Sequence, residues 1–260
     1  MLSWLKHRWH DVCDSTIGTD VFWGLAVDHR SAREVLEPLI DLYARGTTLD
    51  LGAGRLVWRP LLSRHAARYV SADFALTHPS LDLRFDIQQG FPLRDCSVHT
   101  LFCCSVLEHV AQPWSVLVEC RRILVPGGHL LLFVPFLYHL HGSPEDYYRF
   151  SPFGVRHLAE AAGFEVTICR PTGGLGHSLL HAVSMLTTSL VFSHTWPEPA
   201  TAVARALTAA AGTLDALDRD HVFAQNVVAV LRRPHGENSS RRMQQSERAA
   251  PTRMPDMRGV

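Results

Sequence analysis

Residues 48–55 read Thr-Leu-Asp-Leu-Gly-Ala-Gly-Arg, a short apolar run that carries an acid, Asp50, and then breaks at Gly52 and Gly54. Two glycines one residue apart let the backbone turn tightly at the carboxyl end of a strand and let a ligand approach the main chain. The flanking patterns fit that role. A helix is expected from Ser31, where Ser-Ala-Arg-Glu forms a capping box, to Gly46, which stops it just before the strand. After the loop, residues 56–67 are expected to be helical despite Pro60, and residues 69–72 form a second strand ending in Asp73. Strand, helix, strand implies parallel strands joined by a right-handed crossover.

The neighbours of the glycines narrow the ligand. A dinucleotide loop wants Gly-x-Gly-x-x-Gly with the pyrophosphate on the next helix N-terminus, but Val57 stands at the third glycine position and Asp50 precedes the turn. Asp50 would repel a pyrophosphate and attract a cation. The stretch resembles motif I of class I S-adenosylmethionine-dependent methyltransferases, with Leu56 where the family has its last glycine. Their cofactor carries an ammonium and a sulfonium and no phosphate. Asp73 lies about 20 residues beyond the loop, where an acid at the tip of the second strand can accept both ribose hydroxyls.

The resemblance continues through Asp86-Ile87, Phe91-Pro92-Leu93, a strand over residues 100–104 and Leu107-Glu108-His109-Val110. It implies that Asp86 contacts the adenine amine and that Ile87 packs beside the ring. His109 is read as fixing the loop after the fourth strand rather than as a catalyst. A helix opened by Pro113 and ended by Pro126-Gly127-Gly128, followed by an apolar strand over 129–135, also recurs in the family. The expected cofactor residues are thus Asp50, Gly52, Gly54, Asp73, Asp86 and Ile87.

The segment from Pro135 to Phe150 joins a strand to a helix marked by Ser151 and Pro152, a connection that should be short and plain. Instead it gathers His139, His141, Asp146, Tyr147, Tyr148 and Arg149 at the sheet edge where such folds hold ligands. It is similar to a Pro-x-Asp-Tyr-Tyr-Arg segment in a bacterial branch of these methyltransferases, and the match runs on to Phe164. His141 is the first candidate for a general base and Asp146 the second, because an acceptor hydroxyl must lose a proton. Tyr147 and Tyr148 would exclude water and orient a polar substrate, and Arg149 would grip an anionic group. The competing reading makes Arg149 a clamp on Asp146 and the tyrosines core. His139-x-His141 with Asp146 has the donors of a metal site, but spacing alone does not show convergence, and no metal is expected.

These signals define an α/β class: a doubly wound, Rossmann-like, seven-stranded sheet, mostly parallel, with the last strand antiparallel as the resemblance implies. Residues 1–30 form a lid or packing segment, and residues 31–233 the methyltransferase domain, with a helical insertion at about 175–220. Beyond 234 the composition turns to Ser, Gln, Arg and Pro, so residues 234–260 read as a disordered tail. The apolar run at 179–192 falls short of the roughly 20 residues that span a bilayer, which leaves a packed or dimer-forming helix, or contact with a membrane surface.

Composition removes other classes. Twenty-five Lys and Arg balance 25 Asp and Glu, so nothing global attracts a nucleic acid, and the acceptor is expected to be a small molecule or glycan. Six cysteines without a Cys-x-x-Cys pair, and an N-terminus lacking an unbroken apolar region, point to the cytoplasm. The expected activity is methyl transfer from S-adenosylmethionine to an oxygen or nitrogen of the acceptor. The alternatives are a cofactor-binding module without catalysis and an NAD-dependent Rossmann oxidoreductase.

Overall fold

The computed structural model describes residues 2–236, and the expected tail lies outside them except for its first three residues. One sheet contains β1 (Thr47–Leu51), β2 (Arg68–Asp73), β3 (Leu83–Arg84), β4 (Val98–Cys104), β5 (Leu124–Pro135), β6 (Glu165–Thr172) and β7 (Asn226–Arg232). Their order is β3-β2-β1-β4-β5-β7-β6. The first five strands are parallel to one another, and β7 runs antiparallel to both β5 and β6. The order reverses between β1 and β4, which opens a crevice above their carboxyl ends.

Helices α1 (Leu2–Thr16), α2 (Asp20–Trp23), α3 (Val27–Tyr43), α4 (Arg59–Leu62), α5 (Pro113–Ile123), α6 (Pro152–Ala161), α7 (Leu175–Val191) and α8 (Glu198–Asp215) cover the sheet. The period-two alternation of a strand assigns its residues to two cores. Leu130, Leu132 and Val134 of β5 face Val116 and Leu117 of α5 and Val155 of α6. Leu131 and Phe133 face Leu36 and Ile40 of α3 and Leu61 and Leu62 of α4. A third cluster joins Val12, Phe22 and Leu25 to Phe192 and Ala200, so the N-terminal helices pack against the α7–α8 pair. Val12 and Leu25 are fully buried, and each such side chain contributes roughly 1.5–3 kcal/mol. No helix of the described residues is long and apolar enough to cross a membrane.

Three local expectations are corrected. Helix α3 starts at Val27, and Ser31 is buried within it rather than capping it. The free Val27 N–H donates to Ser184 Oγ of α7 at 3.1 Å, a cap supplied from far along the chain that no local pattern announces. The helix expected over 56–67 shrinks to the single turn of α4. Leu56 adopts a left-handed backbone, φ 62°, and Pro60 lacks an N–H, so the regular ladder begins only at Arg59. Finally, Pro126-Gly127-Gly128 lies inside β5 rather than before it. A Cβ on Gly128 would stand 2.8 Å from the His99 carbonyl, so only glycine lets the strand stay paired through this irregularity.

Candidate functional site

Two cavities flank the glycine loop. The first, about 580 Å³, is lined by Gly52, Asp73, Asp86 and Ile87, and by Ser105, Val106 and His109 across the crevice. The second, about 320 Å³, lies beneath the N-terminal helices and takes its walls from Gly52, Gly54, Asp28, Glu108, Tyr138, His141 and Asn226, among others. Gly52 and Ser105 belong to both, so the loop after β1 and the loop after β4 form the partition.

The loop is held open by its own chemistry. Gly52 sits at φ 72°, and a Cβ there would come within 2.3 Å of Val106 Cγ2. Asp73, at the tip of β2, accepts from the Gly54 N–H at 2.8 Å and from the Ala75 N–H at 3.2 Å. An ionised carboxylate offers about four lone-pair sites, so two remain for a ligand's hydroxyls. Asp86 accepts from the Gln88 N–H at 2.9 Å at the start of a single 3₁₀ turn, which sets Ile87 against the core beside the cavity.

Asp50 lines neither cavity. It is 2% exposed beneath the loop and accepts the Tyr69 hydroxyl at 2.8 Å. Burial, and then the charge of Asp73, push its carboxyl up to about 7, against the opposing pull of the Tyr69 hydrogen bond. Two carboxylates under one loop disfavour a pyrophosphate and suit a cationic, phosphate-free nucleoside. The residues present therefore fit S-adenosylmethionine.

On the far side, the segment after β5 folds back on the loop after β4. The N–H groups of Tyr147 and Tyr148 donate to the Glu108 carbonyl at 2.9 and 3.2 Å. Asp146 is clamped by Arg149 at 2.6 and 2.9 Å and also accepts from the His141 N–H at 2.9 Å. The Arg149 guanidinium, before all other influences, holds the Asp146 carboxyl well below the usual carboxylate range. Asp146 is thereby a poor proton acceptor. Tyr148 donates its hydroxyl to the Ala111 carbonyl at 2.9 Å, and neither Asp146 nor Tyr148 lines either of these two cavities. His141 does line one, with Nε2 3.3 Å from Glu108 Oε1. Burial pulls the His141 imidazole down, but its bonds to Glu108 and the His139 carbonyl outweigh this and leave it raised.

Several groups at the second cavity escape a reading of the sequence. Asp28, at the start of α3, accepts from Asn226 Nδ2 at 2.8 Å and from the Tyr138 hydroxyl at 3.3 Å. Asn226 opens β7 at the same sheet edge, a placement readable only once the strand order is known. Glu108 is visible as part of the Leu-Glu-His-Val stretch, but its complete burial has no local signature. His109 Nδ1 bonds the Glu145 carbonyl at 2.6 Å and ties the loop after β4 to the segment after β5.

Comparison with known proteins follows this geometry. Residues 49–132 match the family model described as a methyltransferase domain. A probable S-adenosylmethionine-dependent methyltransferase of Mycolicibacterium smegmatis is 28% identical over 162 residues, 55% of this chain and 62% of that protein. A ubiquinone biosynthesis O-methyltransferase of Paracidovorax citrulli is 26% identical over 145 residues, 48% of this chain and 55% of its own length. The chain thus spans less than two thirds of each of these relatives. Among solved structures, the cyclase SpnF aligns with a TM-score of 0.55 at 16% identity, over 79% of this chain and 83% of its own. A putative methyltransferase of Haloferax volcanii, in complex with the Trm112 methyltransferase activator, aligns at 0.54 and 18%, over 89% and 98%. At such identities these structures speak for the fold alone. Residues 49–132 thus match a methyltransferase domain, the chain is similar to S-adenosylmethionine-dependent methyltransferases, and S-adenosylmethionine is the cofactor that similarity implies.

Proposed function

We propose that this protein transfers the methyl group of S-adenosylmethionine to an oxygen or nitrogen of a small-molecule or glycan-type acceptor. One observation carries the reading: two cavities of different chemistry share Gly52 and Ser105 as their partition, so two ligands can meet across it. When bound, the cofactor supplies an electrophilic methyl on a sulfonium. Asp73, Asp86 and Ile87 hold its nucleoside end, with Gly52 and Gly54 allowing close approach. Asp50 acts from beneath, as a buried carboxyl that favours a cationic ligand over an anionic one.

The second cavity receives the acceptor. Ile17, Phe22 and Trp23 roof it, which excludes water from a reaction that gains mainly from alignment of nucleophile and methyl. Of the three catalytic candidates, His141 keeps its place facing the acceptor, whereas Asp146 and Tyr148 position the segment that carries it. The division into a covering segment over 1–30 and a catalytic unit over 31–233, with its helical insertion, goes with this reading. The other reading that the sequence leaves open is a module that binds the cofactor without methyl transfer.

Incubation with methyl-labelled S-adenosylmethionine and a metabolite extract separates the two. Labelled product that disappears with Asp73→Ala is expected. Tight binding of S-adenosylhomocysteine with no label leaving the cofactor would favour the binding module.

A further inference from the structure

Between the cavities, a buried carboxylate, Glu108, faces the rings of His109 and His141. His109 Nδ1 lies 2.6 Å from the Glu145 carbonyl, and His141 Nδ1 lies 3.2 Å from the His139 carbonyl. Carbonyls accept, so each neutral ring carries its hydrogen on Nδ1 and presents a bare Nε2. Both Nε2 atoms are turned toward Glu108 Oε1, at 3.8 Å from His109 and 3.3 Å from His141. The Glu108 side chain has no exposure, and its Oε2 has no hydrogen-bond partner.

His141 can serve Glu108 Oε1 only when its ring is protonated, and even then Oε2 is left without a donor, which is costly for a buried carboxylate. Arg149 commits its five N–H groups to Asp146 Oδ1 and Oδ2 and to the carbonyls of Tyr138, His139 and Tyr148. A proton on one histidine would bridge one of the facing pairs and leave the other pair, and Oε2, unserved. A divalent ion would serve all three groups at once. One ligand atom from each of Glu108, His109 and His141 lies within 4.8 Å of the others. Ligands about 2.0–2.1 Å from a tetrahedral ion stand roughly 3.3 Å apart, which the Glu108–His141 pair already matches.

We propose that Glu108, His109 Nε2 and His141 Nε2 bind a divalent transition-metal ion of the zinc type. Two imidazoles and one carboxylate select such ions over magnesium and calcium, which prefer all-oxygen shells. The site is finished in the way metal sites are: each ring is oriented by the bond its Nδ1 makes, and the His141 backbone is fixed by Asp146. Glu108 and His141 line the second cavity and His109 the first, so the ion can enter from solvent and keep an open position toward a ligand. The donor set differs from the His139, His141 and Asp146 trio visible in the sequence, because Arg149 occupies Asp146. This inference concerns binding and does not depend on methyl transfer.

Calorimetric titration of chelator-treated, full-length protein with Zn²⁺, and visible absorption with Co²⁺, test it without any assay of activity. One equivalent should bind, Mg²⁺ at the same concentration should not compete, and Co²⁺ should give the intense bands of a four- or five-coordinate site. His109→Ala and His141→Ala should each weaken binding at least about tenfold, about 1.4 kcal/mol. His139→Ala should leave it unchanged. The two ligand variants are independent, so if one fails to fold the other decides. Folded wild-type protein that binds neither ion, or binding that survives both ligand substitutions at one of the other histidines, would overturn the proposal.

Discussion

The glycine loop and the segment after β5 meet at one sheet edge, and they use their acidic groups in opposite ways. In the loop, Asp73 is satisfied by the backbone N–H groups of Gly54 and Ala75, and Asp50 by the Tyr69 hydroxyl. Around the segment, Asp146 takes all its partners from Arg149 and His141, while Glu108 is left facing two imidazoles with one oxygen unpaired. A satisfied carboxylate builds a surface on which a ligand rests. An unsatisfied one awaits a ligand of its own. The difference separates the residues that shape this site from those that remain to be completed.

Substitutions sharpen that contrast, beginning with the loop. Gly52→Ala forces a side chain into a left-handed backbone and into Val106, at a combined cost of about 4 kcal/mol. A clear fall in melting temperature with loss of S-adenosylhomocysteine binding is expected, whereas Gly54→Ala, which meets nothing within 4 Å, should lose much less. Equal effects would mean that the Val106 contact does not shape the loop. Asp146→Ala removes the partner of a partly buried arginine, a loss of about 3 kcal/mol. Denaturant unfolding should register it, and an unchanged midpoint would show that the clamp is ornamental.

Asp50 allows a signed test. Its folded pKa of about 7 lies above the unfolded value near 3.9, so the folded state holds more protons between those limits. Its contribution to stability is therefore fully present below about pH 4 and falls as pH rises toward 7. Asp50→Asn keeps an acceptor for Tyr69 and cannot ionise. It should gain up to about 2 kcal/mol relative to wild type at pH 8, against an upper limit of about 4, and nothing at pH 4. A gain that does not depend on pH would contradict the buried-charge account. Smallest of all, Tyr148→Phe loses only the bond to the Ala111 carbonyl, worth about 1 kcal/mol. Methyl transfer by this variant should stay near wild type, and a large loss with stability intact would return Tyr148 to the acceptor's side.

What the sequence reveals follows the same divide. The succession of strands along the chain, the glycine turn and the place of Asp73 at the end of β2 are legible because each is a local pattern at fixed spacing, and the apolar runs of β4 and β5 state that both sheet faces are covered. The start of α3 is not, since Ser184 caps it from 157 residues away. Nor is the Glu108 cluster, whose members lie on two loops that only the folded sheet brings together. Asp146 shows how spacing misleads: its place beside two histidines invites a ligand role, and the arginine three residues later takes it.

The central claim is that Asp73 and the glycine loop hold a cationic nucleoside rather than a dinucleotide. Calorimetric titration of the wild-type protein and of Asp73→Ala with S-adenosylhomocysteine, and of the wild type with NAD, tests it most directly. One saturable site for S-adenosylhomocysteine, weakened at least about tenfold by the substitution, and no heat from NAD is the expected result. Tight NAD binding with none for S-adenosylhomocysteine would contradict the account.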